Sequence, residues 1–344
     1  MNEHRGLSMR TQRGVVSFIA LLCVLTAIDA PAQQKLAQTG MKFLNVLPDA
    51  RAAALGEAMT SLEGPASSLF FNTASMGRMT GLSSMFVSHT QWIADIKHMY
   101  AAAAFSPFDG EYGVIGFNFQ AVDYGVFEET ILWNNDAGYL DLGTFKPSAI
   151  MVGIGYARAL NDKFSVGGNV KYVRQSLGDG TNALAANGDP VKVSNTTSVF
   201  AFDFGILYKT GFKSLNFGMA IRNFAKEVMY QKEGFQLPLT FKVGVSMNAL
   251  DMTDADPTMH KFLIAVDAEH PRDFAEQVRL GGEYVFMDIL SLRGGYVSGG
   301  DEYGMSYGVG LKKDFDGFGL SLDYARTPFG VFGAVNRFSF QFSL

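Results

Sequence analysis

From about Leu82 onward the chain repeats one pattern. Apolar side chains alternate with small or polar ones for about ten residues, and then a turn follows. Period two is the mark of a strand, because successive side chains leave a strand on opposite faces. Phe200, Phe202, Phe204, Ile206 and Tyr208 share one face, and Ala201, Asp203, Gly205 and Leu207 the other. Met305, Tyr307, Val309 and Leu311 alternate with Ser306, Gly308, Gly310 and Lys312 in the same way. The segments fall at 82–90, 97–106, 111–123, 147–160, 163–177, 197–209, 213–225, 238–250, 260–270, 276–287, 290–298, 304–313, 317–326 and 335–344. That makes about fourteen, an even number, as single-chain outer-membrane barrels require. A soluble β-sandwich also alternates, but its strands average about five or six residues. Runs of about nine or more suit a tilted crossing of the hydrocarbon layer.

The connections carry a second signal. If the mature N-terminus starts on the periplasmic side, every second connection should be a tight turn. Pro107-Phe108-Asp109-Gly110, Asn161-Asp162, Met287-Asp288 and Asp314-Phe315-Asp316-Gly317 are turn sequences in the right places. The long outer loops then fall at 124–146, 178–196 and 226–237, and both mature termini on the periplasmic side. The turn from Asp251 to Met259 is longer than this scheme favours.

With the apolar face toward lipid, the lumen receives Lys171, Asp203, Arg222, Lys242, Asp267, Glu269, Arg279, Glu283, Arg293, Lys312 and Asp323. The two signs nearly balance, which points to pairing across the lumen rather than to an ion filter. The last segment sets Phe338, Phe340, Phe342 and Leu344 against Ser339, Gln341 and Ser343. Such a strand must close against the first so that no edge is left in lipid. It also suits recognition by barrel-insertion machinery.

Arg5, Arg10 and Arg13 precede an apolar stretch from Val15 to Ile28, and Ala30-Pro31-Ala32 offers a cleavage site. Residues 1–32 therefore read as a secretory signal peptide. Cleavage removes Cys23, the single cysteine, and moves the formal charge from −5 to about −6. No thiol chemistry is then available, and an acidic chain without a basic stripe gives no reason to expect nucleic acid. Residues 33–81 break the alternation. Rich in small residues, they read as a plug folded into a lumen wide enough to need filling, with residues 82–344 as the transmembrane barrel.

Two motifs in that region, with the chain's ending, resemble the PorV/PorQ family, a branch of the FadL-like outer-membrane barrels. Asp49-Ala50-Arg51-Ala52-Ala53-Ala54-Leu55-Gly56 is similar to the family's Gly-Ala-Arg-Ala-Ala-x-x-Gly motif. The stretch ending Phe71-Asn72-Thr73-Ala74 is similar to its Asn-Pro-Ala stretch, with Thr73 in place of Pro. The ending Asp323-Tyr324-Ala325-Arg326, Phe329-Gly330-Val331-Phe332-Gly333 and Arg337-Phe338 is also similar. The resemblance implies an all-β, fourteen-stranded antiparallel barrel with an N-terminal hatch, whose motif residues include Arg51, Gly56, Phe71 and Asn72. It further implies a part in type IX secretion, with a translocon, a sortase or a cargo sorting domain as partner.

Little in the sequence points to catalysis. The mature histidines, His89, His98, His260 and His270, form no ligand pair, and His89 and His98 read as interfacial or loop residues. The acidic run Asp123, Glu128, Glu129, Asp136 and Asp141 matches no calcium loop and reads as a solvated loop. Neither a serine nucleophile elbow nor a phosphate-binding loop is present, so no enzyme activity and no cofactor is expected. Phe127, Ile131, Leu132 and Trp133 place apolar side chains on a long outer loop, which suits contact with an exported partner. The competing expectation is a FadL-like carrier of hydrophobic small molecules, with an apolar pocket below the loops and an opening through the wall.

Overall fold

The computed structural model describes residues 39–185, 190–231, 233–299 and 304–344. The signal-peptide region, with Cys23, lies outside the described residues. Fourteen antiparallel strands close into one barrel. They are β1 (Ser83–Gln91), β2 (Lys97–Phe105), β3 (Val114–Asp123), β4 (Ser148–Ala159), β5 (Phe164–Leu184), β6 (Pro190–Lys209) and β7 (Asn216–Ala225), followed by β8 (Thr240–Asn248), β9 (His260–Pro271), β10 (Gln277–Phe286), β11 (Leu290–Val297), β12 (Met305–Phe315), β13 (Phe318–Pro328) and β14 (Ala334–Ser343). Each strand pairs with its sequence neighbours, and β14 closes on β1 with Val87 opposite Phe340 and Met85 opposite Phe342. The reason is the solvent. Hydrocarbon offers no partner for a backbone N–H or C=O, so a sheet in a membrane must have no edge.

All fourteen expected segments are strands, and two of them outgrow their expected length. β5, of 21 residues, and β6, of 20, form a hairpin that rises beyond the rest of the sheet. The outward faces carry the aliphatic and aromatic side chains, such as Phe117, Val152, Ile154, Phe200, Leu280, Leu322 and Phe340, all exposed. No described helix is long and apolar enough to cross a membrane.

The longest connections, 124–147 and 226–239, share one end of the barrel, the long-loop end, while the other end carries tight turns such as 160–163, 287–289 and 316–317 together with the longer connections 106–113 and 249–259. Within 124–147, Phe127–Leu132 and Tyr139–Phe145 pair as a separate hairpin. Met287 and Asp288 turn the chain with positive φ values of 53° and 56°. Asp288 tolerates that backbone better than most residues, and it pairs with Lys261 at 2.6 Å across the turn.

The segment before β1 packs against the inward faces of the strands. Helix α1 (Ala50–Ala54) touches β11 to β14, the 3-10 turn Ala66–Phe70 touches β1 to β3, and the 3-10 turn Thr73–Arg78 touches β4 to β6. Its described part runs from one end of the barrel to the other, and the expected mature N-terminus at Gln33 lies outside the described residues. Thr39 bridges to Gln236 and donates to Asp273 at 2.8 Å, both in connections at the long-loop end. At the other end of the segment Arg78 donates to Ser165 at 2.7 Å and to the Asn161 carbonyl at 2.8 Å, beside a short turn. Leu344 is hydrogen-bonded to Ser83, also at the short-turn end. The described chain thus starts and finishes at opposite ends of the barrel, not at one end.

If the outward face meets lipid, Phe340→Arg should lower the unfolding free energy in bilayers by about 2–4 kcal/mol, as a cation in hydrocarbon requires. The same change at Leu132, out on the loop hairpin, should cost nothing measurable. Denaturant titration of both variants checks this; equal effects would contradict the assignment of faces.

Candidate functional site at the long-loop end

The lumen is held by three charge clusters, each joining strands that face it. Glu283 on β10 accepts a bidentate pair from Arg51, at 3.0 and 2.6 Å, and a further bond from Arg293 at 2.6 Å. Arg293 also reaches Asp323 on β13 at 2.6 Å. Arg279 on β10 joins Glu57 at 2.6 Å and Glu269, and Glu269 also takes Lys242 at 3.0 Å. Lys171 on β5 pairs with Asp203 on β6 at 2.6 Å and donates to Asn223 at 2.6 Å. The strand-borne carboxylates and cations are buried, and Glu57 is partly so. Such pairs add little net stability over an apolar core, but removing one partner strands a charge.

Glycine brings the segment against the wall. Gly56 has φ 61°, and a Cβ built on Gly295 would lie 2.0 Å from the Gly56 nitrogen. A side chain at Gly295 would therefore push the segment off β11. Asp49 caps α1 by accepting from the Arg51 N–H at 2.8 Å. Asn72 caps the turn Thr73–Arg78 and ties it to the wall: its Nδ2 donates to the carbonyls of Thr60 at 2.7 Å and Ile206 at 2.9 Å. Phe71, between these anchors, is buried.

Above the segment, at the long-loop end, the lumen opens into a cavity of about 670 Å³. Its floor is formed by Phe43, Leu47, Ala53 and Gly56 of the segment. One wall is aromatic. Trp92 lies edge-on to Phe329 at 5.0 Å between ring centres, with His98 beside it and Arg337 over its face at 5.5 Å. Across the cavity Tyr230 donates to Gln175 at 2.8 Å, and Gln175 donates to Tyr124 at 3.1 Å. Burial pushes the Tyr124 and Tyr230 phenols each up to about 12, so both stay neutral, Tyr230 as a donor and Tyr124 as an acceptor. The charged lining is uneven: Lys42, Arg222, Lys242, Arg279 and Arg337 line it against Glu57 and Glu269, with Lys42 paired to Asp273 beside it.

The rim is apolar in places. Leu132 is 94% exposed, Val331 88% and Trp133 48%, and Phe332 both lines the cavity and reaches solvent. Phe127 stacks on Phe145 at 5.8 Å, and Ile131 is half-buried, so these two hold the hairpin together while Leu132 and Trp133 face outward. Glu129 departs from the expected solvated acidic loop. It is buried, and its carboxylate accepts from the N–H and hydroxyl of Thr181, both at 2.8 Å, which ties this hairpin to the β5–β6 hairpin.

Two further expectations fail. Lys312 has the lumenal register but sits exposed at the short-turn mouth, paired with Asp314 at 2.9 Å, because β12 extends past the end of the lumen. His98 is neither interfacial nor in a loop. It is buried facing the cavity, with its Nδ1 3.2 Å from the Tyr100 hydroxyl. Its place in the alternation, level with Tyr100 and Ala102, was the available signal. The other lumenal charges named from the sequence, Asp267 included, are buried inside. Asp267 accepts from the Thr60 N–H at 3.0 Å and its hydroxyl at 2.6 Å.

A family model described as type IX secretion system membrane protein PorP/SprF matches residues 131–344, more than half of the chain. The chain belongs to the PorP/SprF family. The finer resemblance to PorV/PorQ, read from two N-terminal motifs and the chain's ending, is not confirmed by that match. The match begins in the loop hairpin and takes in β4 to β14. No curated protein matches the chain.

Solved structures support the fold. The toluene transporter TbuX of Ralstonia pickettii is 12% identical with a TM-score of 0.54, covering 87% of this chain and 98% of that one. The toluene transporter TodX of Pseudomonas putida is 12% identical with a TM-score of 0.55, covering 90% and 99%. A FadL homologue of Pseudomonas aeruginosa is 12% identical with a TM-score of 0.51, covering 86% and 97%. At such identity the likeness is one of barrel architecture. This PorP/SprF member is an outer-membrane β-barrel of FadL-like form.

Glu283→Gln removes the carboxylate shared by Arg51 and Arg293. It should cost about 3–5 kcal/mol, the range for a buried cation left without its partner. Thermal unfolding in detergent, followed by the heat-induced shift in gel mobility, reads the loss. An unchanged unfolding temperature would contradict the role given to this cluster.

Proposed function

We propose that this barrel is a docking component of type IX secretion. In this reading it receives the C-terminal sorting domain of an exported cargo at its long-loop end and brings it to the surface attachment complex. The carrying observation is the rim, where Leu132, Trp133 and Val331 stand in solvent on structured loops around the cavity mouth. Water disfavours such side chains, and clusters of them mark surfaces that meet a partner. PorP/SprF membership makes a component of the secretion system the natural partner. The long loops then lie outside the cell. The segment from Met41 to Met79 acts as a plug, clamped by the charge clusters, so that the barrel holds a partner without leaking. The protein binds rather than catalyses, and needs no cofactor.

A second reading is transport of hydrophobic small molecules. The cavity and its aromatic wall favour it, and two barrels of similar architecture are toluene transporters. It requires a path out of the cavity. All fourteen strands are paired on both sides and the segment forms the floor, so that path needs a rearrangement.

Affinity purification of tagged barrel from native outer membrane separates the two. Docking predicts recovery of cargo sorting domains or translocon subunits, reduced about tenfold or more by combined Leu132→Ser and Val331→Ser substitution, the scale of loss for truncating a rim hot spot. Barrel recovered with bound apolar small molecules and no secretion component would overturn docking in favour of transport.

A further inference from the structure

Every strand-borne lumenal cation in the three clusters meets a carboxylate, but Arg222 does not. It lies on β7 where the strand bulges: the pairing with β6 shifts between Phe202 and Phe204, and Asn223 takes φ 60°. The bulge turns two successive residues inward, and Arg222 and Asn223 are both buried. Asn223 spends its side chain on Lys171 and the Pro238 carbonyl, and its N–H on Asp203. Arg222 keeps one bond, at 3.4 Å to the Leu44 carbonyl. Its Nε has no hydrogen-bond partner, and it makes no ion pair among the described residues. A buried guanidinium left so is costly unless something arrives to pair with it.

Arg222 lines the 670 Å³ cavity, on the side opposite the aromatic wall of Trp92 and Phe329. Lys242 lines the same cavity, and the charged lining is cationic in excess. The cavity has a floor, so a ligand enters and leaves by the long-loop mouth. A blind cavity of this size admits one chain end more readily than a doubled-back loop. The cations reject an amino terminus and favour a carboxylate. Capture of a terminal carboxylate is an established way to read a peptide, and the volume lies in the usual range for ligand pockets.

We infer that the cavity takes the carboxyl-terminal residues of a partner polypeptide, its terminal carboxylate on Arg222 and its last apolar side chains against Trp92 and Phe329. The inference rests on the docking function proposed above and names the part of the partner that is read. The rim holds the folded domain, and the cavity reads its last residues. A chain whose end is blocked or extended by a basic tail is rejected.

The test uses the full-length barrel in lipid nanodiscs and two fluorescent peptides of sequence Gly-Val-Phe-Leu-Val, acylated at the amino end by the dye. One has a free carboxylate and the other a carboxamide. The free acid should bind at least about tenfold more tightly, the usual weight of one charge-assisted hydrogen bond. Arg222→Gln should remove that difference while leaving amide binding unchanged, and Arg222→Lys should restore part of it. Heat-modifiable gel mobility shows that each variant is folded. Equal binding of acid and amide to the unaltered barrel overturns the inference, as does loss of both peptides together in a folded Arg222→Gln barrel. Laurate binding with the same Arg222 dependence, when neither peptide binds, also overturns it and assigns the site to an amphiphile. Failure of the docking reading shows separately, as a native barrel that recovers no secretion component. A barrel that recovers cargo domains but ignores the terminal carboxylate leaves docking standing and removes only this inference.

Discussion

An unpaired backbone group cannot be left in hydrocarbon, and the architecture follows from that. The sheet must close, so β14 must find β1, with Val87 opposite Phe340. Closing fourteen strands makes a wide lumen, and the lumen must be filled or left as a pore. The chain fills it with its own first described residues. Small side chains on the segment and glycines on the wall let the two backbones approach, as Gly56 does against Gly295.

The fill is uneven, and that sets where function can reside. In the middle of the lumen Arg51, Glu283, Arg293 and Asp323 share their charges fully. Toward the long-loop end the segment stops short of filling the space, the cations outnumber the carboxylates, and Arg222 is left without an ion-pair partner among the described residues. Apolar loop side chains surround the same mouth. Charge satisfied at depth and unsatisfied at the entrance is the pattern of a body built to be rigid and a mouth built to bind.

Much of this was legible in the sequence, because a strand that meets lipid on one face and a polar lumen on the other writes both environments into alternate positions. The fourteen segments, the outward Phe338 and Phe340 and the inward Lys171, Asp203 and Glu283 all follow from period two. What was not legible depends on where along a strand the lumen ends, or on pairing between distant residues. Lys312 has the register of a lumenal residue and lies beyond the lumen. His98 looks like the end of a hairpin and lies buried. Glu129 looks like one solvated acid among several, and only its meeting with Thr181 removes it from water. The direction of the N-terminal segment was hidden too, since its anchors Gln236 and Asp273 lie about two hundred residues away. The bulge at Asn223, which creates the isolated Arg222, has no signature in the alternation.

The account depends most on the long-loop end being the cell surface. Cys23 is the single cysteine, so in a Cys23→Ser background an introduced thiol reports alone. Whole cells carrying Leu132→Cys or Lys312→Cys, treated with a membrane-impermeant maleimide, test this directly. Leu132→Cys should label in intact cells, and Lys312→Cys only after the outer membrane is opened. The reverse pattern would turn the barrel over and contradict a docking role at the cell surface.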